Sequence, residues 1–235
     1  MAVPISTVTL VESHVECAGT GSFSFTRPQG YRFVAGQYQM LTLTTREGEQ
    51  TKAFSHADAP GDTSALVLTR LTGSAFKDAL VALRPGAEVR MSGPFGNLTV
   101  PEGTAKAGFL AGGVGVTPVA SIVRDSVLRH TGLGCLVLLG NRDQSCIPAR
   151  SVLAQCERSG APVEVVDVLS TPLPGWRGET GYITADTVRR HCEPAEGRHW
   201  FVSGPPSMVA AMRAVLDGLG VPVSSVSFEL FSGYH

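Results

Sequence analysis

Leu110-Ala111-Gly112-Gly113-Val114-Gly115-Val116-Thr117-Pro118 is the stretch that decides how this chain folds. It follows a short apolar run, Ala107 to Leu110, and precedes a helix-like pattern from Val119 to Leu128. A strand, a glycine-rich turn and a helix start, in that order, build a site for phosphate. Glycine has no Cβ, so the backbone can turn tightly and come close to a ligand. The first amides of a helix have no internal partner and point at whatever sits there. Thr117 is placed to cap the helix with its hydroxyl, and Pro118 suits the first turn. The turn departs from the G-x-G-x-x-G fingerprint, which would need glycine at Pro118. Taken alone it reads equally well as a structural turn. Its place at the start of the second half favours a nucleotide, because open parallel sheets bind ligands at the carboxyl ends of their strands.

Outward from this turn the two halves differ in texture. From Ile5 to Val100 the apolar segments are short and alternating, as in Phe23-Ser24-Phe25, Tyr38 to Leu43 and Ala65 to Leu68. Glycine and proline signals separate them at Pro28-Gln29-Gly30, Arg46-Glu47-Gly48, Ala59-Pro60-Gly61 and Pro85-Gly86. That rhythm predicts an antiparallel β-barrel or sandwich, interrupted by one helix at Ala75 to Leu83. From Ala107 onward, apolar runs at 109–111, 135–139, 163–169 and 200–202 alternate with helical patterns at 118–130, 149–159, 184–192 and 207–219. Continuous apolar strands between helices predict a parallel sheet covered on both faces. The expected organisation is two domains, a barrel over 1–101 and an α/β domain over 102–235.

The bulk properties bound the function. The chain has 235 residues, 43% hydrophobic and 17% charged, with a formal net charge of −1. This fits a globular chain with a sizeable core, and the balanced charge points away from nucleic acid or an anionic membrane as partner. No apolar run is long enough to span a bilayer, and the opening Met1-Ala2-Val3-Pro4 shows no secretory signal. Five cysteines at wide spacing (Cys17, Cys135, Cys146, Cys156 and Cys192) contain no C-x-x-C pair. They predict reduced thiols in a cytoplasmic protein, with neither zinc nor an iron–sulfur cluster. The six histidines are scattered singly and read as surface or structural residues.

Five further segments carry chemistry beside the glycine turn: Lys52-Ala53-Phe54-Ser55, Thr72-Gly73-Ser74-Ala75-Phe76-Lys77, Gly93-Pro94-Phe95-Gly96, Trp200 to Met208 through Ser203-Gly204-Pro205, and Glu229-Leu230-Phe231 near the end. In this order and spacing, the six together resemble the ferredoxin–NADP reductase-like flavoprotein family over nearly the whole chain. The resemblance implies FAD on the barrel and NADH or NADPH on the α/β domain. It casts Lys52, Ala53, Phe54 and Ser55 as the family's R-x-Y/F-S flavin motif. Phe54 would stack on or beside the flavin, Ser55 would bond its edge near N5, and Lys52 would meet its phosphate. Lysine here keeps the charge of the usual arginine but loses its planar two-pronged geometry. Gly73, Ser74, Ala75 and Phe76 would form the diphosphate-binding helix start. Gly112, Gly113, Gly115, Thr117 and Pro118 match the G-G-x-G-x-T-P pyridine-nucleotide motif, and Gly204 with Pro205 the C/S-G-P turn facing the nicotinamide. Ser203 stands where many members carry cysteine, leaving a hydroxyl to bond near the reacting carbon. Glu229 and Phe231 would approach the isoalloxazine. The plainer readings are a core aromatic for Phe54, a simple capped helix at Ser74, and an edge strand at Glu229.

The implied reaction is hydride transfer from nicotinamide C4 to flavin N5, which needs two rings about 3–3.5 Å apart and no acid–base pair. No G-x-S-x-G elbow, Walker A loop or H-E-x-x-H is present. Electrons would pass to a separate acceptor, such as a ferredoxin or a haem or oxygenase component. The alternatives are reduction of free flavin or ferric chelates, and a non-catalytic binding module. Choice of nicotinamide should depend on Gly140-Asn141-Arg142-Asp143 and on Arg150. An arginine there favours a 2′-phosphate, Asp143 favours a free ribose hydroxyl, and both arginines also read as solvated surface charges.

Overall fold

The computed structural model describes residues 4–192, 194–195 and 197–231. Its first half is an antiparallel sheet of β1 (Ile5–Cys17), β2 (Thr20–Thr26), β3 (Tyr38–Thr45), β4 (Gly48–Ser55), β5 (Ser64–Arg70) and β6 (Glu88–Phe95), with α1 (Ala75–Ala82) between β5 and β6. The order is β4-β3-β6-β1-β2-β5, and the two edges, β4 and β5, meet to make it barrel-like. The alternation read from the sequence is the cause. In β3, Gln39, Leu41 and Leu43 point inward while their neighbours are half-exposed. Leu41 packs with Phe23, Phe25, Phe54, Phe76 and Met91 in one core. Ser74 caps α1 by accepting from the Lys77 amide.

The second half is a parallel sheet of β7 (Lys106–Gly112), β8 (Gly134–Asn141), β9 (Val163–Leu169), β10 (Glu179–Thr180), β11 (His199–Gly204) and β12 (Val226–Leu230). Its helices are α2 (Val116–Leu128), α3 (Arg150–Arg158), α4 (Ala185–His191) and α5 (Pro206–Gly218). Side chains alternate between two cores, one on each face. Phe109, Ala111, Val137, Leu139 and Phe201 face α2 and α3, whereas Leu110, Leu136, Leu138, Trp200 and Val202 face α4 and α5. Burial of both sets explains why these strands read as unbroken apolar runs. Gly108 makes room for the buried Trp200, whose ring lies 2.4 Å from where a Cβ would stand. The order β10-β9-β8-β7-β11-β12 reverses direction at β7. That reversal opens a crevice at the carboxyl ends of β7 and β11, where doubly wound sheets bind ligands.

The helices fall where the sequence predicts them, with differences at the ends. α2 begins at Val116, ahead of Pro118, because the glycine turn passes straight into it. It stops at Leu128, short of His130, whose φ of +51° is left-handed. Ala149 likewise takes a left-handed φ of +55°, so α3 starts one residue later.

The two halves share a core as well as polar ties. Ala35, Ala57, Leu66, Leu68 and Leu98 from the antiparallel half pack against α2 and its sheet. Ser121 on α2 donates to the Asp58 carbonyl at 2.6 Å, and Arg124 forms a two-pronged pair with Asp62 at 2.8 Å.

Candidate active site

The glycine turn is a short 3-10 segment, Gly113–Gly115, joining β7 to α2. Two of its glycines are fixed by different needs. Gly113 has φ +53°, and a Cβ there would meet nothing within 4 Å, so the backbone lies open to the crevice. A Cβ on Gly115 would sit 2.4 Å from the Ser203 carbonyl oxygen, so this glycine lets β11 press against the turn. Such an open backbone cradle ahead of a helix start fits a dinucleotide diphosphate. Two expectations need correction. Thr117 does not cap α2; it is buried, and its hydroxyl donates to the Val114 carbonyl at 2.9 Å, because the helix already starts at Val116. Ser203 is fully buried and donates to the Gly115 carbonyl at 2.6 Å, so its hydroxyl braces the turn and does not line the cleft above it. Pro118 lies in the first turn of α2 as expected.

A cleft of about 660 Å³ opens over this turn. Gly112 to Gly115, Asn141, Arg142, Pro205 and Phe231 line it from the parallel half, and Ala18, Thr20 and Arg70 from the other. Phe231 is held there by its amide, which donates to the Gly204 carbonyl at 3.0 Å. Arg142 projects with 84% of its side chain exposed. Arg150 is withdrawn into pairs with Asp167 at 2.8 Å and Glu157 at 2.9 Å, so it does not reach the cleft. Asp143 is occupied with its own loop, accepting from the amide and hydroxyl of Ser145, and these bonds hold its carboxyl below the usual range. Sequence reasoning missed Arg70; nothing in its local pattern distinguishes it from a strand-end cation, and only the fold brings it across the cleft.

The flavin-motif residues lie on β4 and around α1. Lys52 and Ala53 are exposed, and Ser55 is buried at the strand end. Phe54 is buried in the barrel core against Phe76, with the Lys77 ammonium 4.3 Å from its ring centroid. Gly73, Ser74, Ala75 and Phe76 form the start of α1. Register carries the parallel sheet to this motif. Ala111 pairs with Ser203 and Ser203 with Glu229, and the Ser55 hydroxyl donates to Glu229 Oε1 at 3.3 Å from the other half. Among the described residues Glu229 Oε2 is buried without a partner, a polar atom that a flavin edge could satisfy.

Burial pushes the Glu229 carboxyl up to about 7, against a smaller opposing pull from the Ser55 bond. In the unfolded chain this carboxyl ionises near 4.5. Between those values the unfolded chain releases a proton that the folded one keeps, so stability falls as pH rises through the window. Glu229→Gln removes that loss. The stability gap between variant and parent, measured by thermal unfolding across pH, should open from about pH 4.5 to 7 and then level. The variant should gain at most about 3.5 kcal/mol at the upper end, at ~1.4 kcal/mol per pKa unit. A gap that does not vary with pH would contradict the burial argument.

The cysteine expectation is also corrected. Cys17, at the end of β1, is disulfide-bonded to Cys146 in the loop after β8, with Cα atoms 5.0 Å apart. They are 129 residues apart in sequence, which hides the pairing from any spacing rule. The bond ties the β1–β2 turn to the rim of the cleft, where Cys146 itself is a lining residue. Cys135, Cys156 and Cys192 are buried free thiols, and among the described residues no cluster could hold a metal ion.

The chain is similar to known oxidoreductases. The family model described as the oxidoreductase NAD-binding domain matches residues 109–214. Ferredoxin--NADP reductase B of Sorangium cellulosum is 34% identical over 219 residues, covering 88% of this chain and 90% of that relative. An NADH-cytochrome b5 reductase 1 of Aspergillus terreus is 28% identical over 164 residues, 65% of this chain and 55% of that one. Among solved structures, the Amycolatopsis cytochrome P450 reductase superposes with a TM-score of 0.85 at 21% identity, over 98% of this chain and 71% of its own. A ferredoxin NADP+ reductase from Neisseria gonorrhoeae, solved with FAD and NADP, gives 0.83 at 17% identity over 96% and 98%. With a barrel-like sheet and a parallel sheet meeting at Ser55 and Glu229, and a relative this similar along nearly its whole length, the chain belongs to the ferredoxin–NADP reductase-like family of flavoprotein oxidoreductases.

Proposed function

We propose that the protein takes hydride from NADH or NADPH onto FAD and passes the electrons to a separate acceptor protein, a ferredoxin or a haem or oxygenase component. The observation that carries this reading is the Ser55–Glu229 hydrogen bond, which brings the flavin motif of one half to the strand ends of the other. In this reading residues 1–101 hold FAD and residues 102–235 hold the nicotinamide. FAD, when bound, accepts two electrons as hydride and can release them singly. The chain's own part is to bind and orient. Gly113 and the first amides of α2 receive the diphosphate of the nicotinamide nucleotide. Gly115, braced by Ser203, fixes the turn against β11. Gly204 and Pro205 turn the chain at the strand end, and Phe231 closes the side of the cleft. Ser55 presents its hydroxyl, and Glu229, with its carboxyl pushed up to about 7, holds a proton through the acidic range that an ordinary carboxylate would have lost. The cytoplasmic placement rests on reduced thiols, and the Cys17–Cys146 bond removes that ground, so no compartment is part of the proposal.

The relatives named for ferredoxin and for cytochrome b5 support a one-electron protein as acceptor. Steady-state assays of the FAD-loaded protein with oxidised ferredoxin, cytochrome, free riboflavin and a ferric chelate test it. Turnover should be fastest with one of the proteins; turnover with free flavin or iron alone would overturn it. Arg142 is the candidate for a 2′-phosphate, since it is exposed at the cleft while Arg150 is engaged elsewhere. Arg142→Ala should raise the KM for NADPH about ten- to a hundredfold, the worth of a charge-assisted hydrogen bond, and leave that for NADH nearly unchanged. Equal effects on both would remove Arg142 from the specificity site.

A further inference from the structure

We propose that the Cys17–Cys146 bond is a redox-operated latch on nucleotide affinity. Closed, it holds the two walls of the cleft at the spacing a nicotinamide nucleotide needs; opened by a dithiol, it lets that affinity fall. The proposal rests on the nucleotide reading of the cleft above and adds a control to it.

The bond sits where it can act. Cys17 ends β1 at the turn into β2, and Ala18 and Thr20 of that turn line the cleft from the antiparallel half. Arg70 on β5 pairs with Thr20, so it stands on the same wall. Cys146 belongs to the loop after β8, which supplies Asn141 and Arg142 to the opposite wall. One covalent bond therefore spans the rim of the cleft. Among the described residues, the only other hydrogen bond between turn 17–20 and loop 141–148 runs between Thr20 Oγ1 and Cys146 Sγ, at 3.6 Å, and it uses the same sulfur.

The loop carries the state of the bond to the nucleotide. Asp143 accepts from the Ser145 amide at 2.9 Å and from its hydroxyl. Gln144 accepts from the Leu173 amide at 2.9 Å and donates to its carbonyl at 3.1 Å. These bonds make 142–146 one unit, so a movement of Cys146 moves Arg142. On the other wall the Gly19 carbonyl accepts from the Leu71 amide at 2.9 Å, which ties the turn to the residue after Arg70. Two like charges thus face one cleft and resist its closure until an anionic ligand sits between them. The disulfide holds the walls together beforehand, so binding need not supply that energy.

The sulfurs are within reach of a reductant. Both cysteines are half-buried, Cys146 lines the cleft, and Ala18, Gly19 and Ser145 beside them are exposed. The reductant is a dithiol, small or protein-borne. Its thiolate attacks Cys146 Sγ, the S–S bond breaks as a mixed disulfide forms, and Cys17 leaves as a thiolate that takes a proton. The second thiol of the reductant then displaces Cys146, which is protonated in turn. The reductant ends as its disulfide, and the pair has gained two electrons and two protons. Because coupling is reciprocal, a bound nucleotide favours the closed form as much as the closed form favours the nucleotide.

The test poises the FAD-loaded protein in mixtures of reduced and oxidised dithiothreitol. Alkylation after denaturation should count three free thiols in the closed form and five in the open one. Both forms are titrated with NADP+ and with NAD+, and binding is followed through the visible flavin band. Opening the bond should raise the Kd of the preferred nucleotide about tenfold, the worth of one charge-assisted hydrogen bond. FAD should stay bound, and re-oxidation should restore the affinity. Cys17→Ser should show the weak value at every poise. Saturating nucleotide should make the midpoint potential of the pair about 30 mV more negative, the same tenfold read from the other side. Equal affinity of the two forms, or a midpoint that the nucleotide does not move, would overturn the latch while leaving the nucleotide reading intact. A closed form that binds neither nucleotide would overturn both.

Discussion

Gly115→Ala should cost the protein both stability and its hold on the nicotinamide. The added Cβ would lie 2.4 Å from the Ser203 carbonyl oxygen, 2.7 Å from its carbon and 2.8 Å from Gly204 Cα. All three are backbone atoms of β11 and cannot rotate away. The turn and the strand must move apart, which breaks the Ser203–Gly115 bond and displaces the amides that face the cleft. Overpacking of this kind costs ~1–3 kcal/mol, and a displacement near 1 Å at a reacting site costs about a hundredfold in rate. Denaturant unfolding and NAD(P)H binding should both report the change. Gly113→Ala is the comparison. Its Cβ meets no protein atom within 4 Å, so only the left-handed backbone is penalised, by ~1–2 kcal/mol, while the methyl intrudes on the ligand. A Gly115→Ala protein as stable as the parent would mean that the turn and β11 are not in contact.

Loss of the Cys17–Cys146 bond should have the largest effect on stability. It closes a loop with a sequence separation of 129 residues. The chain-entropy account puts the benefit of such a closure near 5 kcal/mol. For a chain of this size that corresponds to a fall in Tm of roughly 10–20 °C, at about 2–4 °C per kcal/mol. Cys17→Ser and the parent under reducing conditions should show the same lowered Tm. Because the bond joins the β1–β2 turn to the cleft rim, the variant should also bind NAD(P)H more weakly. If reductant leaves the parent's Tm unchanged and Cys17→Ser matches it, the two sulfurs are not joined in solution.

Much of this was legible before any coordinates. The glycine turn, the apolar run before it, the three after it and the helices between them have strong periodicity, and the structure places β7, β8, β9 and β11 on those runs. β10, with two residues, is too short to show any period. The ends of α2 and α3 moved because His130 and Ala149 adopt left-handed backbones that non-glycine residues rarely take, a choice made by packing and not by local preference. At the site, the sequence identified which segments matter but not where their side chains point. Thr117 and Ser203 carry hydroxyls that suit a ligand, yet both spend them on neighbouring carbonyls because both are buried. Arg142 and Arg150 are alike in sequence; only the Asp167 carboxylate on β9 and the Glu157 carboxylate within α3, both paired with Arg150, separate them. Arg70 and the Cys17–Cys146 pair depend on contacts between distant segments, which no local pattern encodes.

If flavin held by the antiparallel half meets nicotinamide held by the parallel half in one cleft, either nicotinamide nucleotide should reduce the bound flavin directly. Anaerobic titration of the FAD-loaded protein with NADH and with NADPH, watched through the visible flavin band, tests it directly. The band should bleach fully at one equivalent of the preferred nicotinamide, and bleaching should be lost in Gly115→Ala despite retained FAD. A protein that binds FAD and NAD(P)H together yet never bleaches would contradict it.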